Sequence, residues 1–207
     1  MRIDRDASAA IFAPIFGDSW EELPPVFKAH YRNRPYSNDL TIVRGKMHVR
    51  LSPWVRMVSP LLRLTRTLVP KSGEDVAVTV KFCSERDSDV FRFEREFVFG
   101  DGECHRFISR MQPVGGNEVI EWTGSGIGWH AAYSYTAGKV TLSHIGYRLK
   151  LFGRMFKLPS KWLFGEAEAH ETVVDATTFA MEMRIRHPLF GEIYGYGGRF
   201  KLVGENS

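Results

Sequence analysis

A chain of 207 residues that is 43% hydrophobic and 25% charged can bury a core without disulfide or metal staples, and it is too apolar to be disordered. Two cysteines, Cys83 and Cys104, exclude a disulfide framework and a cysteine-rich zinc site, and suit a reducing compartment. The net charge of +4 is unevenly spread. No acid lies between Asp39 and Glu74, where Arg44, Lys46, Arg50, Arg56, Arg63, Arg66 and Lys71 fall. None lies between Glu121 and Glu166, which holds Lys139, Arg148, Lys150, Arg154, Lys157 and Lys161. Such polarity suits an anionic partner on one side, and solvated charges on strands and loops explain it equally well.

The start, Met1 to Asp6, mixes bases and acids, and the apolar run Ala9 to Phe16 is broken by Pro14. Neither is a signal peptide. No stretch approaches the ~20 apolar residues of a spanning helix. The expectation is one cytoplasmic domain over residues 1–207.

In chain order, Ala7 to Phe16 predicts a short helix stopped by Gly17. A second helix, capped by Asp18 or Ser19 and favoured by Glu21 and Glu22 in its first turn, runs to about Arg32. Leu23, Val26, Phe27 and Tyr31 form its apolar stripe. Pro35, Ser37 and Asn38 make a turn, and Leu40 to Arg50 alternates as a strand. Pro53 opens a helix from Trp54 to Leu68 that Pro60 kinks. Strands follow at about 75–86, 89–99, 104–114, 117–123, 126–136, 139–149, 166–174, 177–187 and 192–203. Most of their links are short and rich in Gly and Asp, the mark of antiparallel hairpins. The predicted fold is therefore a mainly β, antiparallel meander of nine or ten strands. It forms a barrel or half-barrel, with two or three helices from the N-terminal half packed on it.

Hairpin registers select candidate interior residues. A two-residue turn at Asp87-Ser88 sets Phe82 opposite Phe93, Val80 opposite Arg95 and Val78 opposite Phe97, so Arg95 lies on an apolar face. A turn at Ala137-Gly138 puts Trp129, Tyr133, Tyr135, Val140 and Leu142 on one face, with His144 opposite Ala131 and Arg148 further along. A turn at Asp175-Ala176 pairs His170 with Met181 and Glu168 with Met183. Polar groups on an apolar face are costly unless paired. They pair with each other in a filled core, or with a ligand's polar head in a hollow barrel. Arg95 reads as a buried ion pair or as a carboxylate-binding fork. Arg95, His144, His170, Trp129, Tyr133 and Met181 are the ligand-binding candidates. Glu168 and His170 are the acid/base candidates, and a salt bridge explains them as well.

The segment Arg148 to Phe164, RLKLFGRMFKLPSKWLF, interleaves bases with Leu, Phe, Met and Trp, as does the helix around Trp54. Its plain reading is a covering loop whose lysines snorkel. Its functional reading is contact with an anionic membrane, through Trp54, Arg56, Arg63, Arg154, Lys157 and Trp162. Nucleic acid ranks lower, because a row of stacking aromatics is missing. Gly124-Ser125-Gly126-Ile127-Gly128 follows a strand, but a strand follows it in turn. A dinucleotide loop needs a helix there. No metal-ligand spacing and no cofactor motif are present.

The stretch IFAPIFGDSWEELPPVFKAHY (Ile11 to Tyr31) resembles the opening of an uncharacterised bacterial family, domain of unknown function 4166. Val43-Arg44-Gly45, the strand Phe91 to Phe97 and the ending His187 to Gly198 share the resemblance. It spans nearly the whole chain and implies no activity, because the family has none to carry over. Three functions stay open: a binding module for an apolar or lipid-like acidic small molecule, a cofactor-independent enzyme on a lipid-like substrate, and a structural or interaction domain.

Overall fold

The computed structural model describes residues 8–57, 68–158, 162 and 164–203. Eleven strands are seen: β1 (Leu40–Leu51), β2 (Gly73–Glu85), β3 (Ser88–Val98), β4 (Cys104–Gly115), β5 (Glu118–Thr123), β6 (Ile127–Thr136), β7 (Lys139–Leu151), β8 (Arg154–Leu158), β9 (Glu166–Val173), β10 (Thr178–His187) and β11 (Gly191–Leu202). Ten of them close an antiparallel barrel, in which β1 pairs with β11 and β7 with both β6 and β9. Closure removes the edges that an open meander of this length would leave unpaired.

The extra strand, β8, was expected as loop. It pairs with the far half of β7 through a two-residue turn at Phe152-Gly153. Both turn residues have positive φ (49° and 74°), the primed geometry of tight hairpins. Phenylalanine is an unusual occupant of that position, which hid the turn. The edge of β7 away from β6 thus serves two partners, with Lys139–Leu142 on β9 and Tyr147–Leu151 on β8. The ladder to β9 is the shortest in the ring.

The helices are shorter than the pattern suggested. α1 is Ala13–Phe16, and Gly17 (φ 55°) ends it as expected. The helix expected from Ser19 to Arg32 is two pieces, α2 (Ser19–Glu22) and α3 (Pro25–Tyr31). Pro24 forces Leu23 out of the helical region to an extended ψ of 133°, and neither proline can donate a backbone hydrogen bond. Asp18 sits before α2 without a side-chain cap. α4 is Pro53–Met57, and the remainder of the helix expected to reach Leu68 falls mostly outside the described residues. Among the described residues, no helix is long and apolar enough to cross a membrane.

α1 and α3 close one end of the barrel. Ile11, Phe12, Phe16, Val26, Phe27 and Tyr31 are all buried there. Phe12 meets the rings of Tyr31, Phe91 and Tyr133 at 4.7, 5.1 and 5.4 Å. Asn33, fully buried, pins this plug to the sheet. Its Nδ2 donates to the carbonyls of Asp39 and Phe82, its Oδ1 accepts from Thr41, and its own carbonyl accepts from Ile11. β1 and β11 approach so closely that a Cβ on Gly45 would stand 2.0 Å from the Arg199 carbonyl oxygen.

Candidate functional site

Just beneath the helical plug the barrel keeps a partly open cavity of about 70 Å³. One water needs roughly 10–15 Å³ on this measure, so the space exceeds a packing defect. Its wall is mostly aliphatic, aromatic and Met, including Phe82, Phe93, Met111, Phe179, Met181 and Met183. The polar exceptions are Arg95, Glu121, His30, Tyr31, Tyr133, Glu171, Trp129 and Tyr196.

The first hairpin register holds. Val80 pairs with Arg95, Phe82 with Phe93 and Val78 with Phe97. The turn itself falls at Arg86-Asp87, and an irregularity between Cys83 and Glu85 restores the register. Arg95 therefore points inward. Its Nη2 meets Glu121 Oε1 at 2.8 Å and its Nη1 donates to Ser109 Oγ at 2.9 Å. Ser109 in turn donates to the same Glu121 oxygen at 2.6 Å. The guanidinium lies against the rings of Phe93 and Phe107, at 4.7 and 5.1 Å. Burial works against its charge, but Glu121, with the nearby Tyr196 and Tyr133, offsets this and holds its pKa above the ordinary arginine value.

Across the cavity, Tyr31 donates to Glu171 Oε2 at 2.7 Å, and His30 Nε2 lies 3.4 Å from Glu171 Oε1. Tyr133 donates to Met111 Sδ at 3.3 Å. Burial, reinforced by Glu171, pushes the phenols of Tyr31 and Tyr133 well above their usual range. Both stay protonated and act as hydrogen-bond donors rather than bases.

The second hairpin puts Tyr133 opposite Leu142 and His144 opposite Ala131, as expected. Trp129 and Tyr133 line the cavity. His144 lies beside it and accepts from Trp129 Nε1 at 3.1 Å. Burial lowers the pKa of this imidazole, with Glu166 partly opposing. A bulge between His130 and Ala131 then corrects the expectation for Arg148. One extra residue on β7 reverses its side-chain alternation, so Arg148 joins the other face and donates to His130 Nδ1 at 2.8 Å. His130 Nε2 meets Glu118 at 2.7 Å.

The third hairpin corrects the acid/base candidates. Its register is one residue away from the expected one: Met181 faces Glu171, Met183 faces Ala169, His170 faces Glu182, and Glu168 faces Arg184. A slip of one residue exchanges the two faces of a strand. Met181 stays on the cavity wall. His170 and Glu168 turn away from it, His170 lying 3.4 Å from Glu182 and Glu168 exposed.

Glu121, Glu171, His30, Tyr31 and Tyr196 are polar cavity residues that sequence reasoning missed as site residues, as it missed Ser109, which bonds Arg95 and Glu121. Glu121 was within reach, since it shares the parity of inward Val119. Glu171 required the true register. Of the surface candidates, Trp54 packs at a tilt against Phe190 at 5.2 Å, Arg56 is exposed on α4, and Arg154 and Lys157 are exposed on β8. Trp162 is exposed, and its carbonyl accepts from His187 Nε2 at 3.1 Å. Arg63 lies outside the described residues.

The model of the domain of unknown function family DUF4166 matches residues 23–200. The chain belongs to this family. No curated protein matches this DUF4166 member. Among solved structures it is similar to Rv2717c from M. tuberculosis, with 13% identity, 91% of this chain and 99% of that one covered, and a TM-score of 0.48. It is also similar to the dehydratase domain of the polyketide PpsC from M. tuberculosis, with 8% identity, 79% and 75% covered, and a TM-score of 0.20.

Proposed function

We propose that the barrel is a binding module for an apolar small molecule, held by one end beneath the helical plug. The observation that carries this reading is the cavity itself, apolar in most of its wall and set with a few convergent polar groups. The acid head expected from Arg95 is not favoured. Glu121 already neutralises that guanidinium, and Glu171 adds a second carboxylate across the cavity. A ligand carboxylate would meet two acids and one occupied base. A neutral head, such as a hydroxyl or carbonyl, avoids that repulsion. The enzyme reading rested on Glu168 and His170 sharing the cavity, and they do not.

Native mass spectrometry of the purified protein, followed by a solvent extract, tests the proposal. The expected result is a bound apolar mass that denaturation releases, and that is missing from Ala169→Phe, whose new ring fills the cavity. A bare protein mass, together with no saturable uptake of a long-chain alcohol probe by the wild type, overturns it. Uptake of a fatty acid in preference to the matching alcohol overturns the choice of a neutral head.

A further inference from the structure

The two acid-free stretches of the sequence are far apart in the chain, and the fold brings part of each, α4 from the first and the β7–β8 hairpin from the second, to one end of the barrel. β1 leads into α4 at Leu51, opposite Tyr194 of β11. The turn between β10 and β11 carries Leu189 and Phe190, both exposed. Phe190 packs at a tilt against Trp54 of α4 and stacks, at 4.8 Å, on His187. His187 bonds the carbonyl of Trp162, and nearby Phe164 packs on Tyr147 of β7 at 5.5 Å. Tyr147 begins the part of β7 that has left β9 and carries β8. A contiguous chain of contacts therefore runs from α4 to the β7–β8 hairpin, at the end away from the helical plug.

This rim is apolar and exposed along its length. Trp54 is 56% exposed, Met57 69%, Leu189 70% and Trp162 67%. At the hairpin tip Phe152 is 94% exposed, flanked by exposed Leu151, Met155 and Phe156. Burying large side chains is the normal use of such residues, and a contiguous exposed set marks an interaction surface. Arg56, Lys150, Arg154, Lys157 and Arg186 are exposed among them. The acids at this end are Glu166, opposite Arg186 in the ladder, Glu192, 3.8 Å from Arg184, and Glu74 and Asp75, exposed at the start of β2 beside the end of β1. Neither α4 nor β8 carries an acid. On the far side of the same rim, Lys71 is met by Asp101 and Glu103, and Glu74 and Asp75 are exposed nearby, so the excess of base lies towards β8 and the β10–β11 turn.

We propose that this rim docks on an anionic membrane surface, with Phe152, Trp162 and Trp54 entering the interface and the bases meeting lipid phosphates. Charge complementarity selects the partner: bases and large apolar side chains alternate on one rim, the composition of interfacial anchors. The surface stands whether or not the cavity holds a ligand.

The test is flotation of the full chain with vesicles of phosphatidylcholine alone and of phosphatidylcholine mixed with phosphatidylglycerol. Binding to the mixed vesicles only, weakened by added salt, is expected. The double variant Arg154→Gln, Lys157→Gln, in a strand edge that the barrel does not need for closure, should bind about 30-fold more weakly, at roughly 1 kcal/mol per base. Phe152→Ser should lose most binding with an unchanged unfolding temperature. Equal binding by all variants, or none to either vesicle, overturns the proposal. So does a dimer in light scattering that Phe152→Ser dissociates, which assigns the rim to a second copy. A basic-dependent shift with an oligonucleotide and no vesicle binding assigns it to nucleic acid.

Discussion

Replacing Arg95 by Met separates the energetic worth of the interior ion pair from the bulk of its side chain. Methionine keeps contact with Phe93 and Phe107 but removes both hydrogen bonds that the guanidinium makes to Glu121 and Ser109. Glu121 then keeps only the Ser109 hydroxyl, in a setting where its side chain is 14% exposed. Stranding one member of a buried pair costs about 3–5 kcal/mol. Removing both, as Arg95→Met with Glu121→Met, leaves only Ser109 unpaired and should cost no more than about 1–2 kcal/mol. Urea unfolding with an unchanged m-value measures both. The double variant should be more stable than the single one. A single variant within about 1 kcal/mol of the wild type, or a double variant whose loss equals the sum of two single losses, would refute the buried-pair argument.

Three further outcomes follow from other parts of the fold. Asn33→Leu strands two carbonyls and the Thr41 hydroxyl beneath the plug, so urea unfolding should show a loss of about 3 kcal/mol or more. Hydrogen bonds from Arg34, chiefly, lower the Asp39 carboxyl to about 2, below its unfolded value near 4. That contribution is whole above pH ~4 and is lost as pH falls towards 2, so Arg34→Met should flatten the acid limb of the melting-temperature profile. Gly45→Ala puts a methyl against backbone rather than against a flexible side chain, and should yield insoluble or unfolded protein in a solubility and circular-dichroism assay.

Much of the barrel was legible because alternation and short turns are local signals. The Ala137-Gly138 hairpin was placed correctly, since both turn residues adopt the positive φ that its strands require. Arg95 was placed inside from a turn assumed at Asp87-Ser88, and although the turn falls one residue earlier, the irregularity between Cys83 and Glu85 restores the expected pairing. What failed was parity. At Arg148 a bulge inserted one residue, and at His170 the ladder sat one position away, so each side chain exchanged faces. Neither event leaves a mark in composition, because outward and inward faces here both mix polar and apolar residues. Glu171 escaped for the same reason, and the cavity's second carboxylate went with it. The split of the second helix was readable at Leu23-Pro24-Pro25 but was outweighed by the apolar stripe on either side.

The division of one edge of β7 between β9 and β8 has a kinetic side. Backbone amides exchange with solvent through local openings, and the free energy of each opening scales with what must be broken. Around most of the ring a strand is held along nearly its whole length. At the β7–β9 junction only Lys139–Leu142 are paired, and the strand beyond belongs to the β7–β8 hairpin. This junction has the shortest ladder of the barrel. Its amides are placed to exchange before those of β1, β2 and β3. Leu142 and Ala169, which face each other across it, both line the cavity. On the proposed function, a transient parting there would open a side door to the cavity, independent of the helical plug and of the far rim.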